Sequence, residues 1–213
     1  MRAVFQQSLK ELQNRLVGIA ELVETSIEEA TDAFGSSNAL LAEGVIDRAE
    51  EVDEQVRVLD ELALELLMRQ QPVASDLRLI VGALRMSSAL ERMSDLAEHI
   101  AQLARYRYPE SAIPKGLRKT FSKMGVVDIE MAELVVRLLR EQDPALVNEI
   151  RDLDDTLDAL HTKVFEKVLS DKLSADAAGV VDATLASRYH ERFGDHAVGV
   201  AKQMQFFFSG ELP

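Results

Sequence analysis

Six long stretches of this chain carry apolar residues three and four positions apart, and this spacing constrains the fold more than any other feature. In the first stretch, Phe5, Leu9, Leu12 and Leu16 begin a series that continues as far as Phe34. Side chains at this spacing line one face of an α-helix, because each residue turns the helix by about 100°. Strong helix formers fill most of the remaining positions. The sequence therefore predicts an all-α protein.

Residues that interrupt helices divide the chain into six predicted helices. Gly35 and Asn38 follow the first series, Pro72 ends the second, and the oxygens of Ser75 and Asp76 are suited to cap the third. The third helix runs to about Tyr108. The fourth series runs from Leu117 to Leu138 and includes Asp128. The fifth helix starts at Asp143 and Pro144, and the sixth runs from about Ser174 to Gly210.

The densest cluster of helix breakers lies near the middle of the chain. Pro109, Ser111, Pro114 and Gly116 follow the third helix within a few residues of one another. We therefore place a boundary there. Residues 1–110 are predicted to form a first three-helix bundle, and residues 111–213 are predicted to form a second.

An internal duplication supports two similar halves. Residues 91–95, Glu-Arg-Met-Ser-Asp, recur 100 positions later as residues 191–195, Glu-Arg-Phe-Gly-Asp. A weaker echo lies one helix upstream of each copy, where Asp53 and Asp158 each follow an apolar residue. Each half reads as a helix, an acid-bearing helix and a motif helix. The sequence thus predicts two tandem three-helix bundles related by an internal repeat.

The charge balance restricts which partners the chain can bind. There are 24 Lys and Arg residues against 37 Asp and Glu residues, which gives a formal net charge of −13. Such a surface repels nucleic acid and anionic lipid, so we expect no nucleic-acid partner. The chain has no cysteine, which excludes disulfides and thiolate metal sites. No apolar run approaches the roughly 18 residues of a membrane span, so we expect no membrane insertion and a cytoplasmic location.

The motif acids lie off the apolar stripes of their helices. A helical projection places Glu91 and Asp95 opposite the stripe of helix three, and Glu191 and Asp195 opposite the stripe of helix six. The acids of helices two and five lie on the shoulders of their stripes, within reach of a neighbouring helix: Asp53, Asp60, Asp154 and Asp158.

Two carboxylates at positions i and i+4 repel each other unless a cation offsets their charge. Oxygen ligands from Asp and Glu suit hard ions such as magnesium, calcium, manganese or ferric iron, and a neighbouring imidazole would add a nitrogen ligand. Four histidines lie near the acids in sequence: His99, His161, His190 and His196.

Other readings of the same pattern stay open. The acids are also what a solvated helix face carries, and Arg92 and Arg192 are able to neutralise them as surface ion pairs. A helical adaptor without any metal role is one alternative function. A carboxylate-bridged di-iron enzyme is another, but it needs inward-facing acids and Glu-x-x-His motifs, which the pattern disfavours. The run Phe206 to Phe208 is more typical of core packing than of a docking site.

The chain resembles the PhoU family of phosphate transport regulators over essentially its whole length, and three segments carry the resemblance. They are residues 70–78, with the sequence Gln-Gln-Pro-Val-Ala-Ser-Asp-Leu-Arg, and the regions 91–95 and 188–197 around the two motif copies. The resemblance implies a cytoplasmic, non-enzymatic regulator that negatively controls high-affinity phosphate uptake and phosphate-starvation signalling. Its implied partners are the ATPase subunit of the phosphate ABC transporter and the phosphate-sensing histidine kinase, and a homodimer is also compatible with it.

The resemblance further implies surface metal clusters held by Glu/Asp-x-x-x-Asp motifs, with Mg, Mn, Fe, Zn or Ca as candidate ions. The matching positions here are Glu91 with Asp95, Asp154 with Asp158, Glu191 with Asp195, and Asp53. One departure concerns helix two, where Ala49 stands four residues before Asp53 in place of an acid. Asp47 or Glu50 would have to compensate. We therefore expect the second site to be more complete than the first.

Overall fold

The computed structural model describes residues 2–70, 72, 74–170, 173 and 175–210, and these residues form six α-helices without a strand. The helices are α1 Arg2–Ser36, α2 Ala39–Gln70, α3 Ala74–Arg107, α4 Arg118–Glu141, α5 Leu146–Val168 and α6 Ala177–Ser209. The prediction of an all-α protein with six helices is confirmed.

The helices form two three-helix bundles that lie side by side. Helices α1, α2 and α3 pack against one another, and α4, α5 and α6 do the same. The bundles meet where α3 packs against α6 and α1 packs against α4, while α2 and α5 contact only helices of their own bundle among the described elements. One continuous cluster of buried apolar residues runs through both bundles. The predicted tandem of repeated bundles is therefore confirmed.

Contacts between α3 and α6 show that these two helices are antiparallel. The guanidinium of Arg107 binds the carboxylate of Asp182 with N···O distances of 2.5 and 3.1 Å. Further along, the rings of His99 and Tyr189 lie 5.0 Å apart. Residue numbers rise along one helix as they fall along the other. In this register Ser94 lies about level with Gly194, so the two motif copies are close to each other.

The helix ends follow the predicted chemistry with shifted positions. Gly210 ends α6 with a positive φ of 74°, as predicted. Helix α6 begins after Asp176, whose Oδ1 accepts from the Gly179 amide at 2.8 Å, while the predicted start, Ser174, lies outside the described residues. Helix α5 begins at Leu146, slightly after the predicted proline start, although Asp143 Oδ1 accepts from the Ala145 amide.

The predicted cap of α3 is wrong. Because α3 already begins at Ala74, both Ser75 and Asp76 lie inside its first turn instead of preceding it. Asp76 still places a negative charge at the positive end of the helix dipole, which is favourable. Residues 108–117 join α3 to α4 and contain the four predicted breakers. The division of the chain into domains at residue 110 stays a prediction.

Helices α1 and α4 approach closely at a glycine. A Cβ atom added to Gly125 of α4 would lie 2.0 Å from Cγ2 and 3.2 Å from Cβ of Thr31 on α1. The hydroxyl of Thr31 donates to the Ile27 carbonyl oxygen at 2.6 Å, which holds its side chain in place. Only a residue without a side chain fits this crossing unless the backbones separate. The junction between the two bundles therefore depends on Gly125.

We predict that Gly125→Ala lowers the free energy of unfolding by about 1 to 3 kcal/mol, because overpacking a tight contact forces the helices apart. The measurement is chemical denaturation followed by circular dichroism. Gly44→Ala is the matched control, since no atom lies within 4 Å of the added Cβ. In that control, the better helix propensity of alanine should raise stability by up to about 1 kcal/mol. Equal stability of both variants would contradict the close α1 to α4 crossing.

Candidate functional site

Four predicted metal ligands come together on α5 and α6, and we call Asp154, Asp158, Glu191 and Asp195 the second acidic cluster. Burial, followed by the charges of Asp158, Asp195, Asp155 and Glu191, raises the pKa of Asp154 to about 6. The Asp154 carboxylate lies directly against α6, because a Cβ on Gly194 would be 2.8 Å from its Oδ1. The glycine of the second motif thus lets a carboxylate from α5 reach the motif helix.

Glu191 is the more enclosed of the two α6 acids in this cluster. Its side chain is 13% exposed, and both carboxylate oxygens lie 2.5 Å from Nη1 of Arg188. Burial raises the pKa of Glu191, as does the charge of Asp195, whereas Arg188 and His161 oppose the rise. The neighbouring cation is therefore not enough to offset burial and the second carboxylate. Glu191 resides where an additional positive charge would be favourable.

His161 lies at the edge of this cluster, where its charge acts on Glu191. Its Nδ1 is 3.1 Å from the Ser187 carbonyl oxygen and 2.8 Å from the Ser187 hydroxyl. In the tautomer with the proton on Nδ1, that nitrogen donates to the carbonyl oxygen and Nε2 keeps its lone pair. A backbone carbonyl is the usual partner of the free nitrogen of a metal-binding histidine. His161 therefore fits the ligand role that its position in sequence suggested.

The first acidic cluster consists of Asp53 on α2 with Glu91 and Asp95 on α3. Burial raises the pKa of Asp53, with the charge of Asp95 next in importance, and burial together with Asp53 and Asp95 raises the pKa of Glu91. Arg92 donates to Asp95 Oδ2 at 2.7 Å. The three acids are thus electrostatically coupled across α2 and α3, as predicted from their shoulder and motif positions.

The first cluster lacks the acid that Asp154 supplies to the second. At the corresponding position, Ala49 is 7% exposed and lies in the core. Of the two residues expected to compensate, Glu50 raises the pKa of Asp53 by its charge. Asp60 Oδ1 accepts from the hydroxyl of Ser87 at 3.3 Å, and the charge of Asp60 also raises the pKa of Glu91. The first cluster therefore contains fewer enclosed carboxylates than the second.

The side chains are not yet arranged around a single point. Within the described part of the chain, no three His, Asp or Glu side chains are positioned to ligate one ion as they stand. Arg92 and Arg188 hold Asp95 and Glu191 in ion pairs. Cation binding would have to replace these ion pairs, of which the more exposed pair of Arg92 with Asp95 is worth at most about 1 kcal/mol. The oxygen donors and raised carboxylate pKa values nevertheless fit a hard metal ion.

His196 connects the two motif copies. Burial lowers its pKa, and the charges of Arg192 and Asp195 on α6 act on it together with those of Arg92 and Asp95 on α3. Residues of both motifs therefore lie around one imidazole at the α3 to α6 contact. The remaining predicted histidine near the first motif, His99, instead packs against Tyr189.

His190 is not a ligand of the acidic clusters. It is 1% exposed, and its Nδ1 lies 2.5 Å from Oδ2 of Asp128, an equally buried residue of α4. Burial raises the pKa of Asp128 to about 6. Sequence reasoning missed this pair. The available signal was an acid in the apolar series of α4 together with a histidine on the apolar stripe of α6, because two such residues in one bundle core pair with each other.

The structure also bears on the phenylalanine run at the end of α6 and on the length and polarity of the helices. Phe207 and Phe208 pack against the core at the end of α6, with ring centroids 5.9 Å apart, so the phenylalanine run is a packing element. Among the described helices, none is both long enough and apolar enough to cross a lipid bilayer.

Comparisons with known proteins agree on one family. The family model described as "PhoU domain" matches twice, over residues 16–104 and 121–204, which together cover most of the chain. The two matched regions contain the two motif copies. They also coincide with the two helical bundles.

Individual relatives extend over the same length. The chain is 37% identical over its entire length to the whole of "Phosphate-specific transport system accessory protein PhoU homolog 2" from Mycobacterium tuberculosis. It is 36% identical to "Phosphate-specific transport system accessory protein PhoU homolog 1" from Mycobacterium leprae, covering all of this chain and 96% of that protein.

A solved structure supports the same assignment. The crystal structure of PhoU from Pseudomonas aeruginosa superposes with a TM-score of 0.91 at 26% identity, covering 97% of this chain and 100% of that one. Two family-model matches, full-length relatives above 30% identity and a shared six-helix architecture therefore show that this chain belongs to the PhoU family.

Proposed function

We propose that this protein regulates phosphate uptake through protein contacts and that its acidic clusters bind hard metal ions. The observation that carries the proposal is the second acidic cluster, where four carboxylates from two helices are held together against their own repulsion. The names of the relatives associate them with a phosphate-specific transport system as accessory proteins. We extend that role to this chain.

The proposed direction of control over phosphate uptake follows from the resemblance to the PhoU family. In phosphate-replete cells the protein would restrain high-affinity uptake and phosphate-starvation signalling. Its partners would be the ATPase subunit of the phosphate ABC transporter and the phosphate-sensing histidine kinase. A cytoplasmic location is part of this proposal, since this protein would contact both partners on their cytoplasmic side. A homodimer is compatible with it.

The metal proposal rests on electrostatics. Asp154, Asp158, Glu191 and Asp195 would hold an ion in the second half, and Asp53, Glu91 and Asp95 would hold one in the first. A bound cation supplies positive charge that offsets carboxylate repulsion and links two helices. Mg, Mn, Fe, Zn or Ca ions are compatible with such oxygen ligands, and His161 would favour Mn, Fe or Zn. No reaction is assigned to the ion.

A helical adaptor without a metal role is the main competing function. It would explain the same fold and the same partners, with the acids as solvated charge. The raised pKa values of Asp154 and Glu191 favour the metal proposal, because freely solvated acids are not shifted in this way. A di-iron enzyme has less support, since Asp158 and Asp195 are exposed to solvent instead of lining a buried cavity.

Manganese should stabilise the protein through the second cluster. With excess Mn²⁺ over chelator-treated protein, we expect the melting temperature to rise by roughly 5 to 10 °C, since an ion that binds only the folded state stabilises it by mass action. The double variant Glu191→Gln with Asp195→Asn should lose most of this rise. The matched control is Glu28→Gln with Asp32→Asn, which carries the same spacing on α1 and should retain it. An unchanged rise in the first variant would remove these residues from the site.

Neutralising Asp154 should stabilise the metal-free protein. Its pKa is raised from 3.8 to about 6 in the folded state, so the folded form favours the protonated acid. The stability that the folded state gains from binding this proton is fully present below pH 4 and is lost as the pH rises through 6. At pH 7 we expect Asp154→Asn to raise the free energy of unfolding by about 1 kcal/mol after allowance for solvent screening.

Denaturation of both proteins from pH 4 to pH 8 in the presence of chelator measures this effect. Asp152→Asn on the same helix is the control, since Asp152 is exposed and makes no ion pair within the described part of the chain. It should leave stability unchanged at all pH values. A loss of stability in Asp154→Asn at pH 7 would contradict the repulsion on which the metal proposal depends.

Removing the protein from cells tests the regulatory proposal directly. A strain that lacks the gene, grown with abundant phosphate, should show increased phosphate uptake and increased expression of phosphate-starvation genes. The measurements are labelled-phosphate uptake and transcript quantification, with the wild-type gene restored as the control. Normal values for both, in a strain without a second copy of the family, would exclude negative regulation. Restoration by the Glu191→Gln with Asp195→Asn variant would leave regulation intact and separate it from metal binding.

A further inference from the structure

A cleft between α1 and α4 lies apart from the acidic clusters. Its volume is about 740 Å³. Phe34 and Ile113 are buried at its floor together with Phe121 from α4. Leu41 from the start of α2 forms part of the wall and is only half-buried. The cleft therefore presents an apolar floor to solvent.

The α1 edge of this cleft is acidic. Glu28, Glu29 and Asp32 line it, and only Glu29 has an ion-pair partner, Arg48 at 2.7 Å. Glu28 and Asp32 are exposed and make no ion pair with any residue that the structure describes. One basic residue, Arg118, lies at the opposite edge. The edge formed by α1 thus carries negative charge that the chain itself leaves largely unbalanced.

The negative charge continues along α1 beyond the cleft. Burial raises the pKa of Glu24, and the charges of Glu133, Glu21 and Glu28 raise it further. Of these acids, Glu21 is paired with Arg140. The acids of α1 and α4 therefore repel one another along the groove between the helices. An approaching cation would relieve this repulsion.

An exposed apolar side chain extends the floor outward on the other helix. Val126 of α4 is 53% exposed and lines the cleft one turn after Ser122. Its neighbour Ile129 lines the cleft as well and is partly buried. Apolar side chains beside an open cleft, with acids along one edge, form the pattern that binds an amphipathic helix with basic residues.

The cleft lies at the junction of the two bundles. Phe34 comes from α1 of the first bundle and Phe121 from α4 of the second, and their rings meet edge to face at a centroid distance of 5.4 Å. The buried ring of His190 lies beside both, with centroid distances of 6.4 Å to Phe34 and 5.9 Å to Phe121. A molecule in this cleft would therefore touch both bundles at once.

We propose that the α1/α4 cleft docks a basic amphipathic helical segment of a partner protein. An apolar side chain of the segment enters above Phe34 and Phe121 and contacts Val126. Its Lys or Arg residues meet Glu28 and Asp32. This binding site is separate from the acidic clusters and requires neither metal nor phosphate, so its test is independent of the proposed function.

Electrostatic attraction favours a basic segment as the occupant of the cleft over a second copy of the chain, nucleic acid or anionic lipid. A second copy of the chain would bring a net charge of −13 to an acidic edge, and nucleic acid or anionic lipid would also be repelled. A basic segment is attracted to the same edge, and its apolar face removes Val126 and the floor from water. Only a cationic amphipathic partner satisfies both the charge and the apolar floor.

A labelled model peptide tests this proposal. The probe is a fluorescein-labelled 14-residue helix of leucine and lysine, with leucines on one face, and the control probe replaces each lysine by glutamate. Fluorescence anisotropy at physiological salt should show binding of the lysine peptide only. Hydrogen exchange with the lysine peptide should protect amides near Glu28 to Gly35 and near Phe121 to Ile129.

Matched variants locate the site. Glu28→Lys with Asp32→Lys should weaken binding of the lysine peptide by at least about tenfold, and Val126→Glu should weaken it by several-fold through loss of apolar contact. The control, Asp47→Lys with Glu51→Lys, makes the same charge change at the same spacing on α2 and should change affinity by less than about twofold. Circular dichroism melting curves verify that each variant is folded.

Three results would overturn the proposal. Equal weakening by both lysine pairs would mean that net charge attracts the peptide without a specific cleft. Binding of the glutamate peptide as tightly as the lysine peptide would remove the charge argument. Self-association of the wild-type chain that Val126→Glu abolishes would identify a second copy, and not a basic partner, as the occupant of the cleft.

Discussion

The antiparallel contact between α3 and α6 determines where the candidate sites of this protein lie. Arg107 with Asp182 joins the helices at one end, and His99 with Tyr189 joins them nearer the middle. In the register set by these pairs, Ser94 lies about level with Gly194, so the antiparallel contact brings the two motif copies together. His196 then lies among charges from both motifs. Separating α3 from α6 would leave two unrelated acidic surfaces.

The two halves share one plan but differ in how much polar chemistry they bury. Ala49 and Leu90 are core residues in the first bundle, whereas the corresponding positions in the second hold Asp154 and His190. A buried acid–imidazole pair such as Asp128 with His190 contributes little net stability, because the desolvation of both groups offsets their attraction. The second bundle therefore accepts an energetic cost that the first avoids. That cost falls on the half that also holds the more enclosed acidic cluster.

Cations are expected at two different kinds of surface on this molecule. At the acidic clusters, oxygen atoms from two helices approach one another, which favours a small ion that can contact several carboxylates at once. At the α1/α4 cleft, Glu28 and Asp32 instead border an apolar floor, so a cation attached to an apolar body is favoured. The same excess of acidic residues thus underlies both proposals, metal ions at one surface and a basic protein segment at another. The apolar area beside the acids makes the difference.

The sequence by itself determined the six helices, the two bundles and the identity of the clustered acids, because helical periodicity and a repeat are local properties that one chain displays directly. Helix boundaries at Ser75 and Asp143 were less accurate, since capping depends on a few backbone hydrogen bonds. Only the tertiary structure decided which helices of the two halves meet. That packing enclosed Glu191, paired His190 with Asp128 and opened the cleft beside Phe34, because contacts between distant residues depend on how whole helices fit together.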